Sequence, residues 1–256
     1  MPVCPAPRDD RIPRKMNEQL NGKAILVTGG AKRVGRIFAL ACARAGADVV
    51  VHHGHSAEEA EVTRREIEGM GRRAWVIEAD LNDPAQAGNL IPLINESTPL
   101  HGLVNSAAIF ESLSLENTSL QDWQTHLQIN LTTPFLLSQA FAKQAPHEAR
   151  IVNILDWRAL RPGADHFPYT ISKAALAALT RSLAVALAPK IIVNGLALGA
   201  ILPPSDGKAR ADIIKNVPAG RWAQEHEVEQ ALLFALTCPT YITGEIIHVD
   251  GGRHLV

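Results

Sequence analysis

The chain has 256 residues, of which 46% are hydrophobic and 20% charged, the composition of a globular protein with a substantial core. Its net charge of −1 argues against nucleic-acid binding and against electrostatic attraction to an anionic membrane. The three cysteines, Cys4, Cys42 and Cys238, stand in no metal-ligand spacing. We interpret them as reduced thiols of a cytoplasmic protein without a bound metal.

The N-terminal segment differs in composition from the rest of the chain. Residues 1–21 mix prolines with charged residues and lack the apolar centre of a signal peptide. We interpret them as a flexible extension, with Met16 as an alternative start. From Gly22 onward no linker rich in proline or serine interrupts the chain, so we predict one folded domain over residues 22–256. We expect no membrane span, because no apolar run looks long enough.

Short apolar runs alternate with helical patterns along this domain. Strands are predicted at residues 23–29, 47–53, 74–80, 101–108, 149–155, 190–197 and 244–252. Helices are predicted at residues 36–45, 56–71, 86–95, 120–144, 169–188 and 227–237, with Pro92 expected to kink or shorten the third. Strands that are apolar along their whole length are typical of a parallel sheet covered on both faces. The alternation predicts a single-domain α/β fold, a Rossmann-like doubly wound sheet.

The first predicted strand leads into a glycine-rich turn, "TGGAKRVG", at Thr28–Gly35. Gly29 suits the tight turn, and Gly35 lets the following helix pack close to the sheet. The N-terminus of that helix then offers backbone N–H groups to a pyrophosphate, which indicates a dinucleotide ligand. The third glycine usual in such a turn is replaced by Arg33.

The end of the second predicted strand indicates which dinucleotide is bound. An NAD site usually has a carboxylate there, which accepts hydrogen bonds from ribose hydroxyls. In this chain none follows the strand before Glu58. Donors that suit a 2′-phosphate stand there instead, which predicts NADP(H): His52, His53, His55 and Ser56, with Lys32 and Arg33 expected to converge on the same corner. The alternative is that the histidines only form a solvated loop.

A tyrosine and a lysine follow the fifth predicted strand, in the segment "YTISK". Tyr169 and Lys173 are four residues apart, so both side chains face the same side of a helix. An ammonium beside a phenol lowers the pKa of the phenol by stabilising the phenolate. The pair is therefore expected to act as an acid near the cofactor.

From about Lys23 to its end, the chain resembles the short-chain dehydrogenase/reductase family. The turn at Thr28–Gly35, "NSAA" at Asn105–Ala108 and "YTISK" carry the resemblance, and "VNGLALGAI" looks like the family's nicotinamide-side loop with Leu198 in place of proline. The resemblance implies that Tyr169 is the proton donor, that Lys173 holds the nicotinamide ribose and that Asn130 holds a water in the proton relay. It implies the remaining cofactor contacts at Gly29, Val34, Gly35, Asp80, Leu81, Asn105, Ala107, Gly199 and Ala200.

The chain departs from the family pattern at one informative position. The family usually has a serine one strand-end before the tyrosine, which binds a carbonyl oxygen. The segment "IVNILDWRALRPGADHFPY" contains no serine or threonine, and Asp156 stands thirteen positions before Tyr169. A carboxylate repels a developing alkoxide but suits a ring nitrogen that must be protonated. The substrate is therefore expected to be a nitrogen heterocycle rather than a simple ketone.

Arg33 and Asp156 together resemble the pteridine reductase branch of the family, and the closing "DGGRHLV" resembles the bacterial dihydromonapterin reductases. Phe110 falls where those enzymes stack an aromatic ring on the pterin. The resemblance implies a pterin-binding set of Arg33, Phe110, Asp156 and Tyr169. Arg33 would then contact both the cofactor phosphates and the polar edge of the pterin.

Some residues have a plainer interpretation beside the functional one. Phe110 is equally consistent with a rim aromatic, and Asp156 with a surface carboxylate of a site that has lost its activity. We interpret Trp157 as a rim or packing residue, with a position bordering the pterin as the alternative, and Asp165 as part of a loop. Arg253 and His254 could contact the site of a neighbouring subunit.

Three functions follow from this pattern. The first is NADPH-dependent reduction of a dihydropterin or dihydrofolate, the second a carbonyl reductase of the 3-oxoacyl type, and the third a non-catalytic NADPH-binding sensor. Residues 199–220 are expected to form a mobile loop over the substrate, because their polar centre has no clear anchor. The resemblance also implies a homotetramer built on helices 120–144 and 169–188, although Leu176, Leu179, Leu183 and Leu187 are equally consistent with packing on the sheet.

Overall fold

The computed structural model of the chain describes residues 19–203 and 211–256. Seven strands form its single described sheet: β1 (Ala24–Val27), β2 (Asp48–His53), β3 (Ala74–Glu78), β4 (Gly102–Asn105), β5 (Ala149–Asp156), β6 (Ile191–Leu198) and β7 (Ile246–Val249). All neighbouring strands are parallel, in the order β3-β2-β1-β4-β5-β6-β7. The predicted doubly wound α/β fold is confirmed.

Helices cover both faces of the sheet. They are α1 (Arg33–Arg44), α2 (Ala57–Gly69), α3 (Pro84–Asn95), α4 (Leu120–Leu127), α5 (Thr133–Gln144), α6 (Phe167–Leu187), the short α7 (Ala211–Lys215) and α8 (Glu225–Thr237). Alternate residues of each strand point to opposite faces, so that Ile25 and Val27 join one buried cluster while Leu26 joins the other. The first cluster packs on α1, α2 and α8, and the second on α3, α5 and α6.

The predicted helix over residues 120–144 is interrupted by a π-helical turn at Gln128–Thr132, between α4 and α5. Pro134 supplies a physical reason, because proline has no N–H to donate to the carbonyl of Asn130 four residues earlier. The third helix begins two residues earlier than predicted, since Asp83 caps it, and it continues through Pro92 to the predicted end at Asn95.

Helix α6 has the length and hydropathy of a membrane-spanning helix, contrary to the expectation that no apolar run is long enough. It instead packs against the sheet. Leu176 is buried beside Leu155 of β5, and Leu179 packs partly buried against the same cluster. Leu183 and Leu187 pack partly buried against the second cluster, the one that contains Leu26. The interpretation of these four leucines as sheet-packing residues is the one that the contacts support.

The boundary predicted at residue 22 is corrected. Leu20 is buried in the core and its N–H donates to the carbonyl of Ala45, so residues 19–21 belong to the fold. The rest of the predicted flexible extension, residues 1–18, lies outside the described residues, as does the centre of the predicted substrate loop, residues 204–210. Beyond that gap the loop is anchored, because Val217 is buried and Ala219 donates to Gly251.

Candidate active site

The order of the strands reverses between β1 and β4, which places a crevice at the carboxyl ends of these two strands. The glycine-rich turn leaves β1 at this point, and its Gly29 lies against Ala107 after β4. A Cβ added to Gly29 would come within 3.1 Å of the Ala107 Cα atom. A Cβ on Gly35 would collide with the carbonyl oxygen of Gly29. Because Gly29 and Gly35 have no side chain, the turn can pack closely against Ala107 and against the N-terminus of α1, as the sequence predicts.

His52 is not a free donor at the corner, and its predicted role as a phosphate ligand is corrected. The side chain is buried, its Nδ1 accepts from Gly29 N–H at 3.1 Å, and its Nε2 lies 3.1 Å from the Ala79 carbonyl. Only the neutral ring protonated at Nε2 satisfies both bonds. Burial lowers the pKa of His52 to about 4, which keeps the ring in that form. His52 thus fastens the glycine-rich turn to the end of β3.

The other donors predicted for this corner differ in accessibility. His53 is buried and its Nδ1 has no hydrogen-bond partner among the described residues, whereas His55 is exposed. Ser56 is the N-cap residue of α2, yet its hydroxyl makes no capping hydrogen bond. The nitrogen of Lys32 is 2.6 Å from a carboxylate oxygen of Glu59 in α2. A hydroxyl without a capping bond at a helix N-terminus suits a phosphate, and the ammonium of Lys32 is held by Glu59 of the same helix.

Arg33 points away from this corner, so the predicted convergence with Lys32 is wrong. Its guanidinium donates to the carbonyl of Pro203 at 3.0 Å, on the segment that follows β6 across the crevice. Its φ is +50°, the left-handed region that the missing glycine would occupy without strain. The arginine therefore keeps the backbone shape of the turn while its side chain faces the substrate side.

The remaining residues that the resemblance implies as cofactor contacts lie at the start of α1 and after the carboxyl ends of β3 and β6. Asp80 follows β3 and accepts from Asn82 N–H at 2.8 Å, and the carbonyl of buried Leu81 accepts from Thr133. Val34 packs at the start of α1, and Gly199 lies so close to Asp250 that a Cβ would meet its Cα at 2.6 Å. The carbonyl of Ala200 accepts from Ala223 N–H.

The side chain of Asn105 does not face the crevice. The predicted contact with the cofactor is therefore corrected for the side-chain amide. It is buried and donates to Asn153 Oδ1 at 2.8 Å, and Asn153 in turn donates to Thr180. This chain of hydrogen bonds ties β4 to β5 and α6. Asn105 is therefore a core residue that supports the crevice from below.

Asp156 and Tyr169 are in direct contact. The Tyr169 hydroxyl donates to Asp156 Oδ2 at 3.2 Å, and the other carboxylate oxygen accepts from the Arg158 N–H at 2.8 Å. Asp156 ends β5 and Tyr169 lies in the first turn of α6, so the strand and the helix hold the two groups together. Lys173, one turn further along α6, is buried and donates to the Ile154 carbonyl at 2.7 Å.

Burial dominates the ionisation of these groups. It raises the pKa of Asp156 above its ordinary 3.8, against the opposing effects of Arg158 and Lys173. Burial, together with the charge of Asp156, raises the pKa of Tyr169 well above 10. Burial also lowers the pKa of Lys173 to about 8. The predicted lowering of the phenol pKa by the lysine is therefore corrected: burial and Asp156 raise that pKa, and the opposing charge is that of Arg158.

Asn130 lies in the π-helical turn, and its side chain is fully used within the protein. Its Oδ1 accepts from Ile109 N–H at 3.0 Å, and its Nδ2 donates to the Ile109 carbonyl and to the Ser172 hydroxyl. The amide fixes the segment that leads to Phe110. The side-chain amide is thus occupied by partners within the protein, whereas the resemblance implies that Asn130 holds a water.

Phe110 stands at the mouth of the site and is 54% exposed. Its ring meets Tyr169 edge-on at 4.6 Å and stacks on His166 at 3.9 Å. A ring this exposed beside Tyr169 is available to a planar ligand. His166 has a φ of +50° and its ring nitrogen lies 2.8 Å from the Glu111 carbonyl, which holds it against Phe110.

The sequence interpretation missed the ion pairs that hold the aspartate. Arg158 is 2.7 Å from Asp165 and 3.6 Å from Asp156, so Asp165 is more than part of a loop. Trp157 lies between two guanidiniums, with those of Arg158 and Arg253 at 4.7 and 4.5 Å from its ring. Arg253 therefore contacts the site of its own chain. The spacing of Asp156, Arg158 and Asp165 was the only available signal, and no local pattern distinguishes it from an exposed turn.

Comparisons with known proteins agree with this architecture. The family model described as enoyl-(acyl carrier protein) reductase matches residues 29–254. A 3-oxoacyl-[acyl-carrier-protein] reductase of Synechocystis is 31% identical over 91% of this chain and 97% of the relative. FolM alternative dihydrofolate reductase 1 from Brucella canis, complexed with NADP, superposes with a TM-score of 0.86 at 32% identity, over 93% of this chain and 97% of that one. A short-chain dehydrogenase from Burkholderia cenocepacia, in complex with NADP, has a TM-score of 0.87 at 35% identity, over 92% and 99%.

The chain belongs to the short-chain dehydrogenase/reductase family, as the sequence motifs indicate, and it is an oxidoreductase.

Proposed function

We propose that the protein reduces a dihydropterin to the tetrahydro form with NADPH. The observation that carries the proposal is the contact between the Tyr169 hydroxyl and Asp156, at the position where a carbonyl reductase of this family has a serine. A buried carboxyl whose pKa is raised holds a proton more tightly than an exposed one and can deliver it to a ring nitrogen. Exposed Phe110 beside Tyr169 adds a surface on which a flat heterocycle can stack.

The residues of the crevice fit NADP(H). The glycine-rich turn leaves no room for a Cβ at Gly35, so backbone N–H groups can approach a pyrophosphate. The end of β2 carries no carboxylate that would repel a 2′-phosphate, and the hydroxyl of Ser56 is free to bind one. Two of the similar structures contain NADP. When bound, NADPH supplies the hydride.

The chain's own residues would manage the proton. Asp156 and Tyr169 share one hydrogen bond, which orients the carboxyl. Because burial and Asp156 raise the pKa of Tyr169 well above 10, the phenol keeps its own proton, and the carboxyl is the acid that takes its next proton from solvent. Arg158 and Asp165 hold Asp156 in place, and Lys173 keeps a positive charge below the phenol at 5.7 Å from its ring. Arg33 faces the substrate side and offers a planar guanidinium to the polar edge of a pterin.

Reduction of a carbonyl is the second candidate, because a 3-oxoacyl-[acyl-carrier-protein] reductase is among the relatives. Asp156 disfavours it. In its ionised form the carboxylate would repel the alkoxide that forms at a carbonyl oxygen, whereas a serine hydroxyl would donate to that oxygen at any pH. The third candidate, a non-catalytic sensor, is disfavoured by the intact contact between Tyr169 and Asp156 above Lys173.

The deciding experiment measures NADPH consumption at 340 nm with dihydromonapterin, dihydrobiopterin, dihydrofolate and an acetoacetyl thioester. Asp156→Ser is assayed in parallel, because it restores the residue usual in carbonyl reductases. We expect turnover of pterins by the wild type and a loss of about a hundredfold or more in the variant. Turnover of the thioester alone would support the carbonyl reductase, and inactivity with every substrate would support the sensor.

A further inference from the structure

A positively charged rim borders the substrate side of the cleft. It consists of Arg161 and Arg253, which meet where the C-terminal turn lies against the loop after β5. Arg161 donates to the carbonyl of Arg253 at 3.3 Å, and the guanidinium of Arg253 lies 4.5 Å from the ring of Trp157. The backbone carbonyl of Ile213 accepts from Arg253 at 2.8 Å and fixes the orientation of the side chain.

The charge of this rim is not balanced locally. The nearby carboxylates of Asp156 and Asp165 both pair with Arg158, whose side chain is only 13% exposed. Within residues 19–203 and 211–256, no carboxylate forms an ion pair with Arg161 or Arg253. Burial and the neighbouring charges of Arg158 and Arg161 lower the pKa of Arg253, and the opposing charges of Asp156 and Asp165 do not cancel that shift. An anion bound here would relieve that repulsion.

The rim is continuous with the proposed pterin site. Trp157 directly follows Asp156, and the guanidinium of Arg158 lies 5.9 Å from the exposed ring of Phe110. A flat ligand on Phe110 would therefore have its substituent beside the indole of Trp157, with Arg253 next to that indole. Guanidiniums held by backbone carbonyls are suited to bidentate bonds with carboxylate or phosphate oxygens.

We propose that Arg161 and Arg253 bind an anionic group at the end of the substrate's substituent, so that the enzyme favours pterins with a charged tail over pterins with a neutral one. The proposal rests on the proposed pterin reduction. The anionic group that the two arginines would bind is a carboxylate or a phosphate. Dihydrofolate, through its glutamate, represents the carboxylate, and dihydroneopterin triphosphate represents the phosphate. Dihydrobiopterin represents the pterins with a neutral tail.

The test compares kcat/KM for these three substrates in the wild type, Arg161→Gln, Arg253→Gln and the double variant. We expect the ratio for dihydrofolate over dihydrobiopterin to fall about tenfold in the double variant, through KM, because charge-assisted hydrogen bonds are lost. Added salt should raise the wild-type KM for the charged pterins selectively. Arg161 is exposed, so Arg161→Gln is not expected to disturb folding. The substrate ratio can therefore be measured with this variant even where the change at Arg253 prevents folding.

Arg73→Gln is the matched control. Arg73 also lies over an indole, that of Trp75 at 5.3 Å, but it precedes β3 at the far edge of the sheet. This variant loses the same charge and should leave the substrate ratio at the wild-type value. A larger loss with the triphosphate than with dihydrofolate would identify phosphate as the preferred group, and the reverse would identify carboxylate.

Three results would overturn the proposal. An equal loss for charged and neutral pterins would assign the arginines a structural role, and an unchanged ratio in the double variant would assign them none. In both cases turnover of pterins by the wild type would leave the proposed function standing. Absence of turnover with every pterin would overturn both the proposed function and the proposed role of Arg161 and Arg253.

Discussion

Asp156 is a residue whose ionisation is disfavoured by burial. Burial raises its pKa above 3.8, so the folded protein holds a proton at this carboxyl more tightly than the unfolded chain. The free energy of unfolding therefore decreases as the pH rises from 3.8 through the raised pKa. We expect Asp156→Asn to unfold at a higher temperature than the wild type at pH 8, and to lose that advantage below pH 3.8.

Thermal unfolding followed by circular dichroism across this pH range measures the difference, and the same preparations are assayed for pterin turnover. The variant should be more stable and about a hundredfold less active, because it retains the shape of the carboxyl but has no acidic proton. A lower unfolding temperature at pH 8 would mean that Arg158 stabilises the charge more than burial destabilises it.

His52 contributes to stability in the opposite pH direction. Its pKa falls from 6.5 to about 4 on folding, so the unfolded chain binds the extra proton first as the pH decreases. The contribution is complete above pH 6.5 and is lost as the pH falls to 4, on the order of 3 kcal/mol in total. We expect His52→Gln to flatten the pH dependence of urea unfolding in this window, whereas His55→Gln, a change at an exposed ring, leaves it unchanged.

The contrast between these two histidines shows what the sequence can predict at this scale. The run "VVVHHGHS" correctly indicated that no carboxylate ends β2, and thereby NADP. It could not show that His52 is buried, because that depends on the register of β2 against β3, where His52 pairs with Ile77. Asp156 was identified because its replacement of a serine is visible in the sequence. Its partners Arg158 and Asp165 were not, since their pairing depends on the path of a loop.

The glycine-rich turn is an element in which backbone shape and side-chain function compete. Arg33 adopts a φ of +50°, which costs a residue with a Cβ roughly 1 kcal/mol or more relative to glycine. We expect Arg33→Gly to be more stable than Arg33→Ala by about 1 kcal/mol in urea unfolding, because alanine keeps the strain. Both variants lose the guanidinium, so both should show the same increase in KM for the pterin. Equal stability of the two variants would contradict the strain.

The helix that follows this turn must lie close to it. In Gly35→Ala the new Cβ would meet the Gly29 carbonyl oxygen, so we expect NADPH binding to be lost and the protein to be destabilised by several kcal/mol. Gly88→Ala is the matched change within α3, where a Cβ has nothing within 4 Å. It should stabilise the protein by about 0.5–1 kcal/mol through helix propensity. Calorimetry with and without NADPH distinguishes the two effects.

Most elements could be predicted because their hydrophobic periods are long and undisturbed. The seven strands were identified within a few residues, and so was the charged helix α2. The π-helical turn at Gln128–Thr132 could not be predicted from periodicity, since it depends on Pro134 and on the hydrogen bonds of Asn130 with Ile109 and Ser172. A period of 3.6 residues continues on both sides of such a turn and conceals it.

Over the whole molecule, alternation of strand and helix predicted the parallel sheet and the position of its crevice. The sequence contained no pattern that predicted contacts between distant segments. Arg253 contacts Trp157 across 96 positions of the sequence, and Arg33 contacts Pro203 across 170. Both contacts lie on the substrate side, where loops rather than strands bring the residues together. The position of the crevice can therefore be predicted from the sequence, while the contacts between loops that shape it require the fold.

Binding of the cofactor should be visible in the stability of the whole molecule. A ligand that binds only the folded state at 100 times its Kd adds about 2.7 kcal/mol to the free energy of unfolding. Since the end of β2 suits a 2′-phosphate, we expect NADPH to raise the unfolding temperature more than NADH at the same concentration. Two N-cap serines separate this effect from helix stability, because the hydroxyl of Ser119 caps α4 at 3.1 Å from Asp122 N–H and that of Ser56 caps nothing.

Ser119→Ala should lower the unfolding temperature of the free protein, at a cost of about 1 kcal/mol, and leave the difference between NADPH and NADH unchanged. Ser56→Ala should do the reverse: it leaves the free protein nearly as stable and reduces the advantage of NADPH. Differential scanning fluorimetry of both variants with each cofactor measures these shifts. An advantage of NADPH that survives Ser56→Ala would mean that Lys32 and His55, rather than the α2 hydroxyl, supply the recognition of the 2′-phosphate.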